Sequence, residues 1–295
     1  MYMDSVNRPV TDPDTLERIR LMRVPPAYKD VVICKNPDSN VLAYGRDAKG
    51  RKQTVYSRKF IESQRERRFA NLAGFRNTYN RIKRDVAEKL QSDATPPKER
   101  LIGLIVSLMI KCNFRIGSAE NVQKYGTFGL TTLQKRHVTL TAADKAAFSF
   151  NGKKGVTNEA VCGDRLIVRE LRRLKQTGAA SSPLFSYKES GNLRTIPAKD
   201  VNEYLKGFDV NITAKDLRTY TANMLFVDFF KKEARAAKPA SDTAWKKAVR
   251  EAVKRVAASL HNTPPVCRAD YIHRSLTIGA ETDAGFRRRL LAGLL

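Results

Sequence analysis

The chain is poor in the residues on which many catalytic centres are built. Its 295 residues include four cysteines, three histidines and one tryptophan. Cys34, Cys112, Cys162 and Cys267 lie far apart and form no C-x-x-C pair, which argues against a zinc site and fits a reducing compartment with free thiols. His137, His261 and His273 are the whole imidazole supply, and there is no H-E-x-x-H segment, EF-hand loop or tight Asp/Glu cluster, so no metal site is expected. Long apolar runs are missing too. The most apolar stretch, LIGLIVSLMI at residues 101–110, is too short to cross a bilayer and reads as a buried helix. Residues 1–24 hold no apolar core of the secretory type, so no signal peptide is expected. GRDAKG at residues 45–50 has the glycine spacing of a phosphate-binding loop, but it continues Arg51-Lys52 where Lys-Ser/Thr is needed and lies between strands. No nucleotide cofactor is expected.

Acidic residues are also scarce relative to basic ones. Fifty-five Lys and Arg against thirty Asp and Glu leave a formal charge of +25. Such an excess does nothing for folding, raises self-repulsion and attracts polyanions. Nucleic acid is the leading partner. A membrane-surface binder would concentrate its charge on one amphipathic helix, whereas basic residues here recur along the chain. Charge alone leaves open a ribosomal-type structural protein and does not say whether the chain is an enzyme.

Two regions differ in pattern. DVVICK (30–35), VLAYGR (41–46) and QTVY (53–56) carry β-branched and aromatic residues and are separated by turn formers, predicting a small antiparallel sheet of three strands. From Lys59 the spacing becomes helical and charged, placing a boundary near residue 66. The expected organisation is α+β, with a β-rich N-terminal domain over 1–66 and a mainly helical domain over 67–295. In the second, residues 98–114 read as a buried helix. Strands are expected at 136–141, 146–150 and 156–162, the last two joined by the glycine-containing turn NGKKG. Helices are predicted at 164–176, 198–207, 213–235 and 242–261. Thr213 and Asp216 have capping-box spacing, and Trp245, Val249, Ala252, Val253, Val256 and Leu260 form one apolar face. After Asn262-Thr263-Pro264-Pro265 a final helix is expected to carry Tyr271.

Metal-free phosphoryl transfer needs a nucleophile, cations for the charge that gathers on the non-bridging oxygens, and an acid for the leaving oxygen. Arginine suits the second task because its planar fork donates to two oxygens at once. The C-terminal part offers Arg115 in NFRIG, Lys153 in FNGKKG, Arg218 in KDLRTY, and His261 and Tyr271 in SLHNTPPVCRADYIHR. Each also has an ordinary structural reading. Tyr271 fits a core position, His261 a helix C-cap, Lys153 a solvated turn, and Arg115 and Arg218 fit ion pairs with Glu120 and Asp228.

The order and contexts of these segments resemble the type IB topoisomerases, in the short form of poxviruses, some bacteria and giant viruses. The matching stretches are DVVICKNPDSNVLAYGRDAKGRKQTVYSRKF, NFRIGSAENVQKYGTFGLTTLQKRHV, FSFNGKKGV, AKDLRTYTANMLF and LHNTPPVCRADYIH. The resemblance implies a monomeric two-domain clamp on duplex DNA that needs no metal or ATP. The expected setting is bacterial cytoplasm or nucleoid, or a virus-encoded protein packaged in the virion. It implies Tyr271 as the nucleophile of a 3′-phosphotyrosyl link, Arg115 and Arg218 on the scissile phosphate, His261 as donor to a non-bridging oxygen, and Lys153 as general acid to the 5′-oxygen. DNA contacts are expected from Arg46, Lys49, Arg51, Lys52, Gln53, Tyr56 and Arg58 around the N-terminal hairpin, and from Arg65, Arg67 and Arg68 in the linker. Thr54 stands where the poxvirus members carry a further tyrosine. A tyrosine recombinase shares the nucleophile and the cations. It would show an H-x-L-R-H-like box in place of KDLRTY and a helical core-binding domain in place of the strands. A DNA-binding protein with an inactivated site is the non-enzymatic alternative.

Overall fold

A computed structural model of the chain describes residues 2–70 and 74–293, without the side chain of Arg68. The chain divides into two compact units, Met1–Ala70 and Asn71–Leu295. The first begins with helix α1 (Pro13–Leu21), whose first turn is capped by the Asp12 carboxylate accepting from the Thr15 N–H at 2.8 Å. Strands β1 (Lys29–Ile33), β2 (Val41–Arg46) and β3 (Lys52–Tyr56) form the expected antiparallel sheet in the order β1-β2-β3. Helix α2 (Arg58–Ala70) follows at once. The boundary expected near residue 66 therefore falls inside a helix, because the change in sequence pattern at Lys59 marks the start of α2 and not the end of the unit.

The second unit is mainly helical. It comprises α3 (Phe75–Gln91), α4 (Pro97–Cys112), α5 (Ala119–Tyr125), strands β4 (Val138–Leu140), β5 (Ala146–Asn151) and β6 (Thr157–Cys162), and α6 (Arg165–Lys175). A hairpin of β7 (Ser186–Glu189) and β8 (Asn192–Thr195) comes next, then α7 (Ala198–Lys206), α8 (Ala214–Ala237), α9 (Asp242–Ser259), α10 (Pro264–Asp270), α11 (Arg274–Thr282) and α12 (Ala284–Ala292). Strands β4, β5 and β6 form the expected three-stranded antiparallel sheet. Its first strand is shorter than expected because residues 135–137 form a 3-10 turn. The β7–β8 hairpin was not anticipated; its strands are short and largely exposed, so they lack the apolar alternation that marks a strand. The expected final helix is three short ones, and Tyr271 lies on none of them. It is the C-cap of α10, with φ −123° and ψ −28°. Among the described residues no helix is long and apolar enough to cross a membrane.

Two apolar clusters share helix α8. The first joins α3, α4, α6, α7 and the β4–β6 sheet, and takes Ala214 and Leu217 from the start of α8. The second joins α9 to α12 and takes Ala222, Phe226 and Phe230 from the rest of it. The expected apolar face of α9 is the one buried, with Val249, Ala252, Val253, Val256 and Leu260 all inside. Phe230 packs on Phe226 and Trp245 at ring separations of 6.0 and 5.9 Å. Helix α8 is the common wall of both clusters, so its first turn sets the register of everything between them.

That turn is closed by the capping box. The Asp216 carboxylate accepts from the Thr213 N–H at 3.0 Å and from its hydroxyl at 2.6 Å, while the Thr213 carbonyl accepts from the Asp216 N–H. Asp216 is buried, so its removal leaves the Thr213 donors without a substitute from solvent. Asp216→Ala is expected to cost about 1 kcal/mol, within the roughly 0.5–2 kcal/mol span of lost helix caps, measured as a lower denaturant midpoint with an unchanged slope.

Candidate active site

The site forms where four segments meet: the strap after α4, the first turns of α8, the turn after α9, and the end of α10. Helix α4 stops at Asn113, whose φ of 54° is the left-handed conformation that asparagine tolerates at a helix end. Phe114 then plunges into the core, fully buried against Phe148 and Phe150 of β5. Arg115 comes out on the other side, partly buried. Its Nη2 donates to Asn262 Oδ1 at 2.8 Å and its Nη1 to the His261 carbonyl at 3.5 Å. The strap is fixed by two glycines. A Cβ on Gly117 would stand 2.7 Å from the Gly129 Cα, and one on Gly129 would stand 2.8 Å from the Arg115 carbonyl oxygen. Gly117 also has φ +85°. Backbone bonds from Leu130 N to the Arg115 carbonyl and from Thr131 N to the Ile116 carbonyl complete the junction.

Arg218 lies on α8 between the residues that feed the two apolar clusters, and only 4% of it is exposed. Its Nη2 donates to the Leu260 carbonyl. Its Nε and Nη1 have no hydrogen-bond partner among the described residues, although both are buried. Burial, with Arg115 close by, pulls the guanidinium down to about 10, which still leaves it charged at neutral pH. The guanidinium carbon sits 5.4 Å from the centre of the Tyr271 ring.

Tyr271 is held by its backbone. Its N–H donates to the Cys267 carbonyl at 3.1 Å, and its own carbonyl accepts from Asn223 Nδ2 at 2.9 Å. Asn223 Oδ1 also accepts from the His273 N–H at 2.8 Å, so one amide on α8 grips the chain on both sides of Ile272. Helix α10 is tied down in turn by Arg268, which makes a two-pronged pair with Glu281 of α11 at 2.8 and 3.0 Å. Burial alone would push the phenol up. The positive charges of Arg218, Arg115 and Lys215 outweigh it and hold Tyr271 below its ordinary value.

Helix α9 ends in a turn with His261 in the left-handed conformation, φ +49°. The His261 ring stacks on Phe114 at 5.4 Å and 26°, with Nε2 buried and without a partner among the described residues. Burial and the neighbouring Arg218 hold its pKa below the ordinary imidazole value. Asn262 Nδ2 is likewise buried with no such partner. Lys153 is exposed on the β5–β6 turn. Among the described residues no hydrogen bond or ion pair joins it to the other four. The structure thus gathers Arg115, Arg218, His261 and Tyr271 and leaves Lys153 outside their contacts. Among the described residues neither arginine forms the ion pair that its ordinary reading would need, and Glu120 is paired with Lys124.

In the first unit, Lys52, Thr54 and Tyr56 of β3 alternate onto one face, with Arg46 opposite Lys52 and Tyr44 opposite Thr54. Lys52 lies over the Tyr44 ring at 4.5 Å, and Tyr56 stacks on Phe60. Arg51 and Gln53 are engaged internally: both donate to the Asp47 carboxylate, at 2.6 and 3.0 Å, stapling the hairpin turn. Those bonds, the Arg51 bond foremost, hold Asp47 at about 2. Arg46 reaches the Gly50 carbonyl at 3.2 Å. Lys49, Arg58 and Arg67 are exposed, Arg65 is partly buried, and the Arg68 side chain lies outside the described residues.

A family model for the eukaryotic DNA topoisomerase I catalytic core matches residues 57–277, and one for the N-terminal domain of bacterial DNA topoisomerase IB matches residues 1–47. The chain belongs to the type IB topoisomerase family. It is similar to DNA topoisomerase 1B of Acanthamoeba polyphaga mimivirus, 28% identical over 92% of this chain and 81% of the relative. It is also similar to DNA topoisomerase I of monkeypox virus, 24% identical over 90% and 82%. The enzyme class and the α+β fold expected from the sequence hold. Three residues of these surroundings went unassigned in the sequence: Asn223, Asn262 and Tyr44. Asn223 and Asn262 lie within the stretches that carried the resemblance, but an amide that works by gripping backbone or a guanidinium has no spacing signature. Tyr44 is placed opposite Thr54 only by strand register, so its face shows once β2 and β3 are paired.

The strap offers a direct test of type IB site assembly. Gly117→Ala forces a side chain onto a left-handed residue and into the Gly129 backbone, and strain of this sort costs about 1–3 kcal/mol. The variant is expected to lower the thermal midpoint and to reduce DNA cleavage more than DNA binding, because Arg115 is displaced. Unchanged cleavage would show that the glycine contact does not position Arg115.

Proposed function

We propose that the chain relaxes supercoiled duplex DNA by cutting one strand through Tyr271, holding it as a 3′-phosphotyrosyl ester, and resealing it. The observation that carries this reading is a nucleophile set among buried donors that lack an acceptor. Arg218 Nε and Nη1 and Asn262 Nδ2 are all buried and unpartnered among the described residues, with the Arg115 fork beside them. Unpaired buried donors are costly, and a phosphodiester oxygen is the acceptor such a set fits. Tyr271 Oη attacks the phosphorus, the P–O5′ bond breaks, and the 5′-oxygen leaves with a proton. Arg115 and Arg218 neutralise the charge that builds on the non-bridging oxygens. A further donor comes from the turn after α9, where the family resemblance points to His261. Because the ester conserves the bond, religation needs no ATP.

Duplex DNA fits the charge of +25 and the basic, aromatic face of the β1–β3 sheet. Exposed Lys49, Lys52, Arg46, Arg58 and Arg67, with Tyr44 and Tyr56, are its contacts in the first unit. Arg51 and Gln53 hold the hairpin in shape. The protein acts as a monomer.

Supercoiled plasmid incubated with the protein and EDTA, without ATP, is expected to give relaxed circles. Tyr271→Phe is expected to bind DNA with nearly wild-type affinity and to relax none of it, since only the nucleophilic oxygen is lost. Relaxation by this variant would remove Tyr271 from the role.

Lys153 is the general acid in this reading. It waits on the exposed turn and reaches the 5′-oxygen only when DNA is bound. Its neighbour Lys154 has φ +65°, so the two side chains leave the turn in different directions. Lys153→Ala is expected to slow cleavage by roughly 10²–10⁴. Normal rates should return when the leaving 5′-oxygen is replaced by sulfur, because a thiolate departs without a proton. Lys154→Ala is expected to show only mild loss on both substrates. Failure of sulfur to rescue Lys153→Ala would place the proton donor elsewhere.

A further inference from the structure

We infer that Asn158 is the positioning residue for Lys153: its carboxamide fills the β5–β6 turn from within and fixes the backbone from which the lysine projects. The inference rests on the reading of Lys153 as general acid and adds what holds that lysine in place. Residues 153–157 all lie open to solvent. Asn158 does not. Only 2% of it is exposed, at a position directly across from Phe150 in the β5–β6 register. Directly opposed residues share a face of the sheet. The amide therefore stands on the buried face, in line with Phe148 and Phe150 of β5 and Cys162 of β6. A polar group in such a place is costly unless it is hydrogen-bonded, and this one is bonded to the turn itself.

Asn158 Nδ2 donates to the Val156 carbonyl at 2.8 Å. The same carbonyl accepts from the Gly152 N–H at 2.8 Å, so a single oxygen ties the Asn158 side chain to the residue just before Lys153. Gly152 shows how closely the amide is fitted. Its φ of −95° and ψ of −164° are extended and open to any residue, so glycine is not needed there for its dihedral freedom. It is needed for room. A Cβ on Gly152 would stand 2.2 Å from Asn158 Nδ2 and 2.9 Å from its Cγ. Behind Lys153 the chain reverses through Lys154 and Gly155, both left-handed at φ 65° and 75°, and the Gly155 N–H donates to the Gly152 carbonyl at 3.0 Å. Ahead of it, the Asn151 carbonyl accepts from the Phe128 N–H at 2.7 Å, which ties the incoming strand to the segment after α5. Lys153 is thus an exposed side chain on a backbone fixed from both directions, and Asn158 is the one side chain that fills the turn.

The test measures single-turnover cleavage of a duplex with a mapped site, carrying oxygen or sulfur at the 5′-bridging position. Asn158→Ala is expected to bind DNA as the wild type does and to cleave the ordinary duplex more slowly, by up to roughly 10²-fold, the loss that a misplacement of about 1 Å brings. On the sulfur substrate it should cleave near the wild-type rate, because the proton that Lys153 delivers is no longer needed. A merely structural loss would slow both substrates alike. Gly152→Ala drives a methyl group into the amide and reaches the same fault with Asn158 unchanged, so it serves where Asn158→Ala folds poorly. It should show the same defect and the same rescue. Once Asn158 is alanine that methyl group has room, and adding Gly152→Ala should slow cleavage no further. Asn158→Ala added to Lys153→Ala should also lose nothing more, since the group being positioned is gone. The inference is overturned if Asn158→Ala cleaves ordinary DNA at the wild-type rate, is equally slow on both substrates, or multiplies the Lys153→Ala defect. If sulfur fails to rescue Lys153→Ala itself while the wild type cleaves both substrates, the general-acid reading falls and takes this one with it.

Discussion

Arg218 places a full positive charge where the fold has almost no water to offer it. It sits at the seam between two apolar clusters, on the one helix that both share. The cost of desolvating a cation is met in proteins by pairing or by hydrogen bonds, yet here, among the described residues, the guanidinium has no carboxylate and leans on the Leu260 carbonyl and the Tyr271 hydroxyl. The carbonyls at the end of α9 are the negative pole of that helix, so the Leu260 and His261 oxygens form a small electronegative rim on which both guanidiniums rest. The rim holds the arginines while leaving Arg218 Nε and Nη1 unspent. An ion pair with a carboxylate would have stabilised the cation more and removed the very donors that an incoming phosphate needs. In that sense the local stability of the fold is lowered where the chemistry requires free donors.

The remaining architecture keeps that arrangement from collapsing. Gly117 against Gly129 brings two stretches of backbone closer than any side chain permits, and so sets where Arg115 emerges. The Thr213–Asp216 cap fixes the start of α8, with Asp216 two residues before Arg218. Asn223, little more than a turn later, holds the chain on either side of Ile272, and the Arg268–Glu281 pair anchors the short helix before Tyr271. Each is a local bond worth little alone. Together they place four side chains drawn from sequence positions 115 to 271, fixed by helices and strained turns instead of by long flexible loops.

What the sequence made legible follows from what leaves a periodic or chemical trace. The capping box at Thr213, the apolar face of α9 and the alternation in β5 and β6 were readable because burial imposes spacing on side chains. The family was readable because five short contexts occur in one order. The helical setting given to Tyr271 was wrong for a physical reason: Pro264 and Pro265 start a helix well, but α10 ends after seven residues and Tyr271 caps it. The ion pairs that the ordinary structural reading offered Arg115 and Arg218 are not formed among the described residues; backbone carbonyls and an amide take their place, and carbonyls are invisible to composition. The N-terminal hairpin teaches the same lesson in reverse. Arg51 and Gln53, expected as DNA contacts, both also donate to Asp47, a tie that composition does not reveal.

The charge balance around Tyr271 bears on how its proton is lost in the proposed reaction. The phenol is held below its ordinary value because Arg218, Arg115 and Lys215 outweigh the effect of burial. The first two are the cations that the phosphate would engage. A phosphodiester arriving between them brings a negative charge of its own, which partly cancels the field that favours phenolate. The same anion that makes attack possible thus makes a standing phenolate less favourable. Deprotonation is then best timed with attack: as the O–P bond forms, negative charge passes from the phenol to the non-bridging oxygens, and the guanidiniums that had favoured one come to stabilise the other. In a site whose cations already lower the phenol's affinity for its proton, solvent water can take that proton as the O–P bond forms. The arrangement that leaves Arg218 short of hydrogen bonds in the resting site is therefore the one that lets its charge follow the reaction.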